Sequence, residues 1–283
     1  MTKYLLRWNL VWVLLFSSIG VIRPQSAIDN TKSNPAHRFL TTVVGDFWHV
    51  ASSPFKLSKK DAVSVLSFAA FNAGLITFGD AEADEELALE GYHGVLKPAK
   101  WMAKVGEVYD NIGTQNVALG LSAGMLTGGI IFKNKKLRET TRLMLESLLI
   151  ASTITYWSKR AIGRARPFAN QGASEFDLFG SGNSNREYRS MPSGHATSAF
   201  SVMTVIAKQY SQWWVKYPAY FWATSVALQR MNDRQHWASD VLVGGAIGYW
   251  VGNLLVTHQA RKRNPLKISA IYSINRIGMS VYF

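Results

Sequence analysis

Residues 192–207 read PSGHATSAFSVMTVIA, a polar turn that runs directly into an apolar segment of helical length. Pro192 and Gly194 favour a tight turn, and Ser193 is placed to cap the helix that follows. A helix that begins in this way leaves its first backbone amides unpaired, so that they are free to bind an anion. This stretch therefore predicts an apolar helix with an anion site at its start.

Five other stretches have the same apolar composition, rich in Ala, Leu, Val, Ile and Gly with few charges. With residues 195–207, the set of six comprises residues 62–79, 117–132, 143–157, 219–228 and 241–256. We find no series of alternating strands, no repeat of fixed period and no glycine-rich linker. The predicted fold class is all-α, a bundle of about six core helices. Alternating apolar residues over 266–283 predict a short C-terminal β-hairpin.

Composition and charge limit the function classes. The chain has 283 residues and a formal charge of +13, from 31 Lys and Arg against 18 Asp and Glu. Only 17% of the residues are charged and 12% are aromatic, which excludes a disordered chain. The absence of cysteine excludes disulfide scaffolds, thiolate zinc sites, iron–sulfur clusters and cysteine nucleophiles. The positive charge fits nucleic acid, an anionic membrane surface or a phosphorylated substrate.

The first 27 residues have the pattern of an export signal. Lys3 and Arg7 precede an apolar stretch over residues 10–22, and small residues follow at Ser26 and Ala27. The apolar stretch is short for a bilayer span, although a retained N-terminal anchor is the alternative. We expect an N-terminal extension over residues 28–61, a helical domain over 62–257 and a basic tail over 258–283.

The distribution of charge bears on membrane insertion. Basic clusters at residues 56–60, 133–142, 208–216 and 261–267 fall at alternate ends of the six segments, as in membrane proteins with cytoplasmic basic loops. Against this, the segments are near or below the roughly 20 residues that a bilayer needs, and the mean hydropathy is 0.00. Solvated loops of a soluble domain are the alternative. Residues 80–90 carry six acids, which we expect on a solvated loop or helix face rather than in a metal site.

Two more polar stretches flank this one, so that in chain order the first, second and third polar islands are residues 159–167, 190–195 and 230–240. Lys159 and Arg166 are seven residues apart, so a continuing helix would put both cations on one face. Arg230 precedes His236 and Asp240, whose spacing of four lets the carboxylate accept the proton of one imidazole nitrogen. Taken singly, the islands also fit a basic helix end and a satisfied His–Asp pair.

Taken together, the motifs Lys-x6-Arg-Pro, Pro-Ser-Gly-His and Arg-x5-His-x3-Asp occur in this order over residues 159–240. This chain thereby resembles the type 2 phosphatidic acid phosphatase (PAP2) superfamily, which also contains bacterial class A acid phosphatases and vanadium haloperoxidases. The segments over residues 62–256 are compatible with the family's helical fold. One position departs from the family's pattern, because Gln229 stands where the family usually has Ser before the Arg.

The resemblance implies phosphoryl transfer without a divalent metal or other cofactor. It implies that His236 attacks phosphorus, that Asp240 holds the tautomer of His236, and that His195 protonates the departing alcohol. The phosphate-binding groups that it implies are Lys159, Arg166, Ser193, Gly194 and Arg230. Vanadate would be a cofactor only in the alternative of a vanadium haloperoxidase, and a soluble acid phosphatase is a further alternative within the family.

We expect a phosphorylated lipid or small molecule as substrate. Lipids are favoured because the aromatic pairs at residues 213–214 and 249–250 suit a bilayer interface, and we expect membrane association for the same reason. A non-catalytic polyanion- or membrane-binding protein is the distant alternative. Nucleic acid is not expected, because the cations gather at helix ends and not in a stripe with interleaved aromatics. The expected location is a bacterial-type cell envelope, either exported or integral to the cytoplasmic membrane, with the active site on the outer face.

Overall fold

The computed structural model describes residues 35–89, 97–180, 185–263, 267–273 and 276–282. The chain divides into two compact units, residues 1–44 and 45–283. The described residues of the first unit form the beginning of a helix, and the second unit contains the remaining elements. The predicted export signal or anchor over residues 1–27 lies outside the described residues.

Most of the described residues are helical. In chain order the α-helices are α1 (Pro35–Ser52), α2 (Lys59–Gly74), α3 (Asp80–Asp84), α4 (Lys97–Ile112), α5 (Thr114–Ile131), α6 (Lys135–Ile162), α7 (Gly194–Gln209), α8 (Trp213–Asn232) and α9 (Ala238–Arg263). Wide helical turns at Leu75–Gly79 and Glu85–Leu89 make residues 59–89 one continuous helical segment. Shorter 3₁₀ turns occupy Ser53–Lys56, Pro167–Ala169 and Arg186–Tyr188.

Polar side chains define where several of these helices begin. Ser58 and Asp61 form a reciprocal capping box at the start of α2, in which each side chain accepts the backbone amide of the other. The side chain of Asn134 caps α6 by accepting two amides of its first turn. These caps fix the helix starts independently of the apolar pattern.

A row of glycines lets α9 lie directly against α7. Gly244, Gly248 and Gly252 recur every four residues and so share one face of α9. A Cβ atom at Gly244 would lie 2.5 Å from the carbonyl oxygen of Ser193, and one at Gly248 would lie 2.4 Å from that of Thr197. The two backbones therefore approach more closely than any larger residue allows, and the start of α7 is held against the start of α9.

The main apolar core lies between α6, α7 and α9. Its most deeply buried side chains include Leu143 and Met144 of α6, Val205 of α7, and Val251 and Leu255 of α9. A second cluster joins α4, α7 and α8. Hydrogen bonds and ion pairs bring the ends of α4, α6 and α8 to the starts of α7 and α9 at one end of the bundle.

The structure confirms the all-α prediction, and each of the six predicted apolar segments coincides with helical structure. The terminal hairpin forms as well: β1 (Lys267–Ser273) pairs antiparallel with β2 (Arg276–Tyr282). Sequence reasoning missed α1 and α4. Helix α4 carries charges and only a narrow apolar face, so it lacks the uniform apolar composition that marked the other segments. The boundaries proposed for the domain, 62–257, stay a prediction.

Among the described residues, two helices are long and apolar enough to cross a membrane. They are Lys59–Leu87 and Ala238–Arg263, and their most apolar windows are 6% and 44% buried, respectively. The second packs against α7 and α6, and nearly half of its window is buried. The first is almost entirely exposed, so burial within the protein does not account for its apolar composition.

Candidate active site

Backbone hydrogen bonds join the three polar islands at one end of the bundle. The amide of Ser190 donates to the carbonyl of Arg164, which links the second island to the first. The amide of Ser193 donates to the carbonyl of Asp240, which links the second island to the third. Trp237 closes the triangle, since its indole Nε1 donates to the carbonyl of Ala165 at 2.8 Å.

The first island does not continue the helix that precedes it. Helix α6 ends at Gly163, which has a left-handed conformation with φ 57° and ψ 41°. The prediction that Lys159 and Arg166 lie on one helical face is therefore wrong, because Arg166 follows the turn in an extended conformation. The turn nonetheless brings both cations to the same site, since Nζ of Lys159 and Nη2 of Arg166 both donate to the carbonyl of Arg189.

The amine of Lys159 is held by two backbone carbonyls. Its Nζ donates to the oxygens of Arg189 at 2.7 Å and Ser190 at 2.9 Å. Burial, together with the charge of Arg166, lowers the pKa of Lys159 to about 7. A Cβ atom on Gly194 would contact the Lys159 side chain at 3.8 Å, which places this cation beside the start of α7.

Two arginines complete the cationic part of the site. Arg166 Nη1 donates to the side-chain oxygen of Gln235 at 2.7 Å, and burial with the charges of Arg186 and Arg230 lowers its pKa to about 10. Arg230, near the end of α8, has a 7% exposed side chain. The Nε atoms of Arg166 and Arg230 are buried and have no hydrogen-bond partner. Unpaired buried donors are costly, so these two atoms favour an oxyanion between them.

Ser193 caps α7 as predicted, although the bond is long. Its side-chain oxygen accepts from the amide of Ala196 at 3.5 Å, and the residue is fully buried. Gly194 follows as the first residue of α7. The capping geometry thus leaves the amide of Gly194 at the N-terminus of the helix, where backbone donors and the helix dipole favour an anion.

His236 lies in the loop before α9 and not on the helix. Its backbone amide donates to the carbonyl of Arg230, which folds the loop back onto the end of α8. The ring is buried; burial, with the charges of Lys159 and Arg166, lowers its pKa well below the usual value. Its Nδ1 lies 3.8 Å from Oδ2 of Asp240 and has no hydrogen-bond partner. The expected His–Asp pair is thus adjacent but not hydrogen-bonded.

Asp240 is fully buried and held by donors that sequence reasoning did not identify. It accepts from the guanidinium of Arg164 at 2.8 Å, from the amide of Trp237 at 2.9 Å and from the hydroxyl of Ser190. Arg164 is itself fully buried and also pairs with Asp80 at 2.7 Å. The carboxylate beside His236 therefore has a fixed orientation and a compensated charge.

Asp80 corrects the prediction that the acidic stretch over residues 80–90 is solvated. It is fully buried, and besides Arg164 it accepts from the amide and the hydroxyl of Ser239 in the first turn of α9. Asp84, one turn later, pairs with Arg234 at 2.7 Å. Through Asp80 and Asp84, the helical segment over residues 59–89 is thus bonded to the start of α9 and to the loop that carries His236. An excess of acids over one short stretch does not reveal which of them face inward.

His195 stands at the rim of the site, with 36% of its side chain exposed. Burial and the charge of Arg230 lower its pKa to about 4. Asp110, at the end of α4, approaches both groups, with Oδ1 2.5 Å from Nη1 of Arg230 and 3.3 Å from Nε2 of His195. No motif includes Asp110, and it reaches the site only because α4 packs against α8.

Gln229 is the one departure from the family's motif. Its side chain makes a different contact from the one expected of the usual serine. Its side-chain amide donates to Asp233 at 3.0 Å, and the residue is buried against Gly106 of α4. Asp233 in turn lies 3.7 Å from Nη1 of Arg230. Gln229 therefore acts on a neighbour of the cationic cluster.

Fold and site together define a helical protein in which three cationic side chains and two histidines lie at one end of the bundle. Residues 140–264, which contain all three islands, match the family model of the PAP2 superfamily. The matched segment comprises less than half of the 283-residue chain.

Named relatives cover a smaller region. The chain is 39% identical over 67 residues to the "Lipid A 1-phosphatase" of Porphyromonas gingivalis, covering 23% of this chain and 15% of the relative. Proteins of the same name from Rhizobium etli and Rhizobium johnstonii are 35% and 36% identical over 105 residues, covering 36% of this chain and 43% and 41% of theirs. The chain thus matches less than half the length of these relatives.

Two solved structures are similar at low identity. The crystal structure of Aquifex aeolicus LpxE is 19% identical with a TM-score of 0.43, covering 63% of this chain and 94% of that one. A transmembrane PAP2 type phosphatidylglycerolphosphate phosphatase from Bacillus subtilis is 17% identical with a TM-score of 0.44, covering 71% and 96%.

Proposed function

We propose that this protein is a metal-independent phosphatase that hydrolyses phosphomonoesters or diphosphates of lipids through a phosphohistidine at His236. The observation that carries the proposal is a pair of buried guanidinium nitrogen atoms without partners, Nε of Arg166 and Nε of Arg230, near the buried ring of His236. Their charges act on one another, since Lys159, Arg166 and Arg230 all lower the pKa of His236. Such a group is stabilised when a phosphate enters.

The proposed nucleophile is Nε2 of His236. Nδ1 is the ring nitrogen nearest Asp240, so Nε2 lies on the opposite side of the ring. The lowered pKa keeps the imidazole neutral and its lone pair available. A shift of about 1 Å would bring Nδ1 within hydrogen-bond distance of Asp240, and such bonds often tighten only when substrate binds.

In the first step the Nε2 lone pair of His236 forms a bond to phosphorus while the bond from phosphorus to the leaving oxygen breaks. The electron pair goes to the leaving oxygen, which takes a proton from His195. Lys159, Arg166 and Arg230 stabilise the equatorial oxygens, together with the Ser193 hydroxyl and the Gly194 amide. Water then attacks phosphorus, gives a proton to His195, and the electrons of the P–N bond return to His236.

Three cations within one pocket supply the charge that a divalent metal supplies in other phosphatases. Lys159 and the two arginines, unlike a metal, place their donors at fixed directions on the oxygens. We therefore infer that no divalent cation takes part. A chelator in the assay tests this directly.

A lipid substrate is favoured by the surface next to the site. The apolar window of residues 59–87 is only 6% buried, and Asp80 in this segment is bonded to Arg164 and Ser239. Seating this segment in a bilayer would bring the pocket to the lipid headgroups. The relatives named lipid A 1-phosphatases make phosphorylated lipid A the first substrate to test. These features favour a bacterial-type cell envelope, and the basic clusters, if they stay cytoplasmic, would put the site on the outer face.

The test is release of inorganic phosphate from detergent-solubilised full-length protein, with chelator present. The panel contains lipid A, phosphatidate, an isoprenyl diphosphate and p-nitrophenyl phosphate. We expect lipid substrates to be preferred and vanadate, a phosphate analogue, to inhibit. His236→Ala should lower kcat by more than about 1000-fold, because the nucleophile is lost.

His37→Ala is the matched control, because His37 is exposed and outside the site, and it should keep full activity. Normal turnover by His236→Ala would refute the proposed chemistry. Halide oxidation with peroxide and added vanadate, without phosphate release, would instead favour the haloperoxidase alternative. Resistance of the protein to carbonate extraction tests the membrane association separately.

A further inference from the structure

Asp110 is a carboxylate inside a site that otherwise favours anions. Its Oδ1 lies 2.5 Å from Nη1 of Arg230 and 3.3 Å from Nε2 of His195, and 31% of its side chain is exposed. A negative charge at this position repels an incoming phosphate and competes with it for Arg230. A carboxylate here is therefore costly for binding unless it serves another step.

The negative charge of Asp110 stabilises the protonated form of His195. The other charged or titratable groups that face it are Arg230 of α8, Lys159 of α6, and Arg166 and His236 of the two loops. None of these is acidic, and each disfavours the imidazolium. Among the described residues, Asp110 is the one carboxylate within ion-pair distance of His195, and its charge opposes the lowering of the His195 pKa.

The position of Oδ1 adds a geometric argument. One oxygen of Asp110 bridges an arginine that would bind the phosphate and the histidine that would protonate the leaving group. In the proposed reaction, the oxygen that joins phosphorus to the lipid must occupy the same region, between the cations and His195. The carboxylate oxygen thus marks where the leaving oxygen binds.

We propose that Asp110 is a positioning residue that holds the imidazole of His195 toward the leaving oxygen and favours its protonated form. This inference rests on the proposed phosphatase function. The entering phosphate takes the place of Asp110 on Arg230, and His195 then transfers its Nε2 proton to the oxygen as the P–O bond breaks. Asp110 itself forms no bond to the substrate.

Two substrates with different leaving groups distinguish this positioning role from a purely structural one. A lipid alkoxide needs a proton as it departs, whereas p-nitrophenolate leaves readily without one. Asp110→Asn should lower kcat on phosphatidate by about 10- to 100-fold, and on p-nitrophenyl phosphate by less than about 3-fold. Because the pKa of His195 falls further without the carboxylate, the decline of kcat with rising pH should move to lower pH on phosphatidate.

Binding should change in the opposite direction. Asp110→Asn removes a competitor for Arg230, so the inhibition constant of vanadate should stay unchanged or fall by about 2- to 5-fold. Glu107→Gln is the matched control, because Glu107 is exposed on the same helix one turn earlier, and it should leave both substrates unaffected. Asp110→Glu keeps the charge and should recover part of the lost kcat.

Three outcomes overturn the inference. The first is an equal loss on both substrates, and the second is an undiminished effect of Asp110→Asn in a His195→Ala background. The third is weaker vanadate inhibition together with a lower melting temperature, which would indicate a structural role. These differ from failure of the proposed function itself, in which the wild-type protein releases no phosphate from any substrate.

Discussion

The two ends of the helical bundle each hold a group of buried charges, but they pair their charges differently. At the end opposite the proposed active site, the fully buried Asp46 of α1 accepts from Gln259 at 2.5 Å and from Lys262 at 3.1 Å on α9. Arg142 of α6 lies 3.4 Å from the same carboxylate and 2.6 Å from Glu146. Each cation in this group faces a carboxylate.

At the active end, two cations of the part of the chain that the structure describes, Lys159 and Arg166, donate to backbone carbonyls and an amide oxygen and have no carboxylate partner. Asp240 and Asp80 are occupied by Arg164, and Lys159 binds only backbone carbonyls. The two groups are about 28 Å apart along α9, from a rise of about 1.5 Å per residue. In the Asp46 group the cations all have carboxylate partners, and the buried atom left without a hydrogen bond is an acceptor, Oε2 of Glu146; at the active end the unpaired atoms include cationic donors, as a site for an anion requires. We infer from this difference that the Asp46 group has a structural role and that the other group binds the proposed substrate.

The largest expected effects come from removing one partner of each cluster. Arg164→Met leaves Asp80 and Asp240 as unpaired buried carboxylates, so the free energy of unfolding should fall by about 3–5 kcal/mol. Phosphate release should also fall by more than about 100-fold, because Asp240 loses its orientation beside His236. Denaturant unfolding in detergent and the phosphate assay measure the two effects.

Asp46→Asn is the counterpart at the other end. It should lower the free energy of unfolding by about 1–3 kcal/mol, because Arg142 and Lys262 lose a charged partner. Turnover by the folded fraction should stay unchanged. A slower turnover by fully folded Asp46→Asn would show that the Asp46 group also affects catalysis, which contradicts a purely structural role for that end.

A smaller effect concerns pH. Lys159 has a pKa lowered to about 7, so the unliganded enzyme should lose this charge as pH rises through 7, and kcat/KM should decline. Arginine keeps its charge in this range, so Lys159→Arg should move the decline upward by more than about one pH unit, whatever its effect on the maximum. The readout is kcat/KM measured from about pH 5 to about pH 9.

Lys262→Arg is the control for this profile, because Lys262 already pairs with Asp46. Its pH profile should match that of the wild type. If the decline stays at the same pH in Lys159→Arg, another group causes it, and the unpaired state of Lys159 is not what distinguishes the active end.

Local patterns in the sequence predict part of this site and miss the remainder for a physical reason. His236 and Arg230 stand out because short polar motifs interrupt apolar segments. Arg164 lies in the first motif too, but its burial depends on the turn at Gly163 and on a carboxylate 84 residues away. Asp110 depends on α4 packing so closely on α8 that a Cβ at Gly106 would lie 2.2 Å from the Ser225 carbonyl. Such long-range contacts leave no local signal.

Substitution of Gln229 has the smallest predicted effect on the kinetics. It tests whether a carboxylate that pairs with Arg230 weakens phosphate binding. Its amide holds Asp233, whose carboxylate stays 3.7 Å from Nη1 of Arg230. Gln229→Ser, which restores the residue usual in the family, releases Asp233 to pair more closely with Arg230 and to compete with phosphate. We expect KM to rise by about 2- to 3-fold with kcat unchanged, since a partly exposed pair is weak.

Asp233→Asn should act in the opposite direction and lower KM by a similar factor, because it removes the competing charge. In the double variant the effect of Gln229→Ser should disappear, since there is no carboxylate left to release. If Gln229→Ser alone slows turnover by about 10-fold or more, the glutamine touches the reacting phosphate. In that case Gln229 would itself bind phosphate, and the unpaired donors of Arg230 would not be enough to explain phosphate binding at the active end.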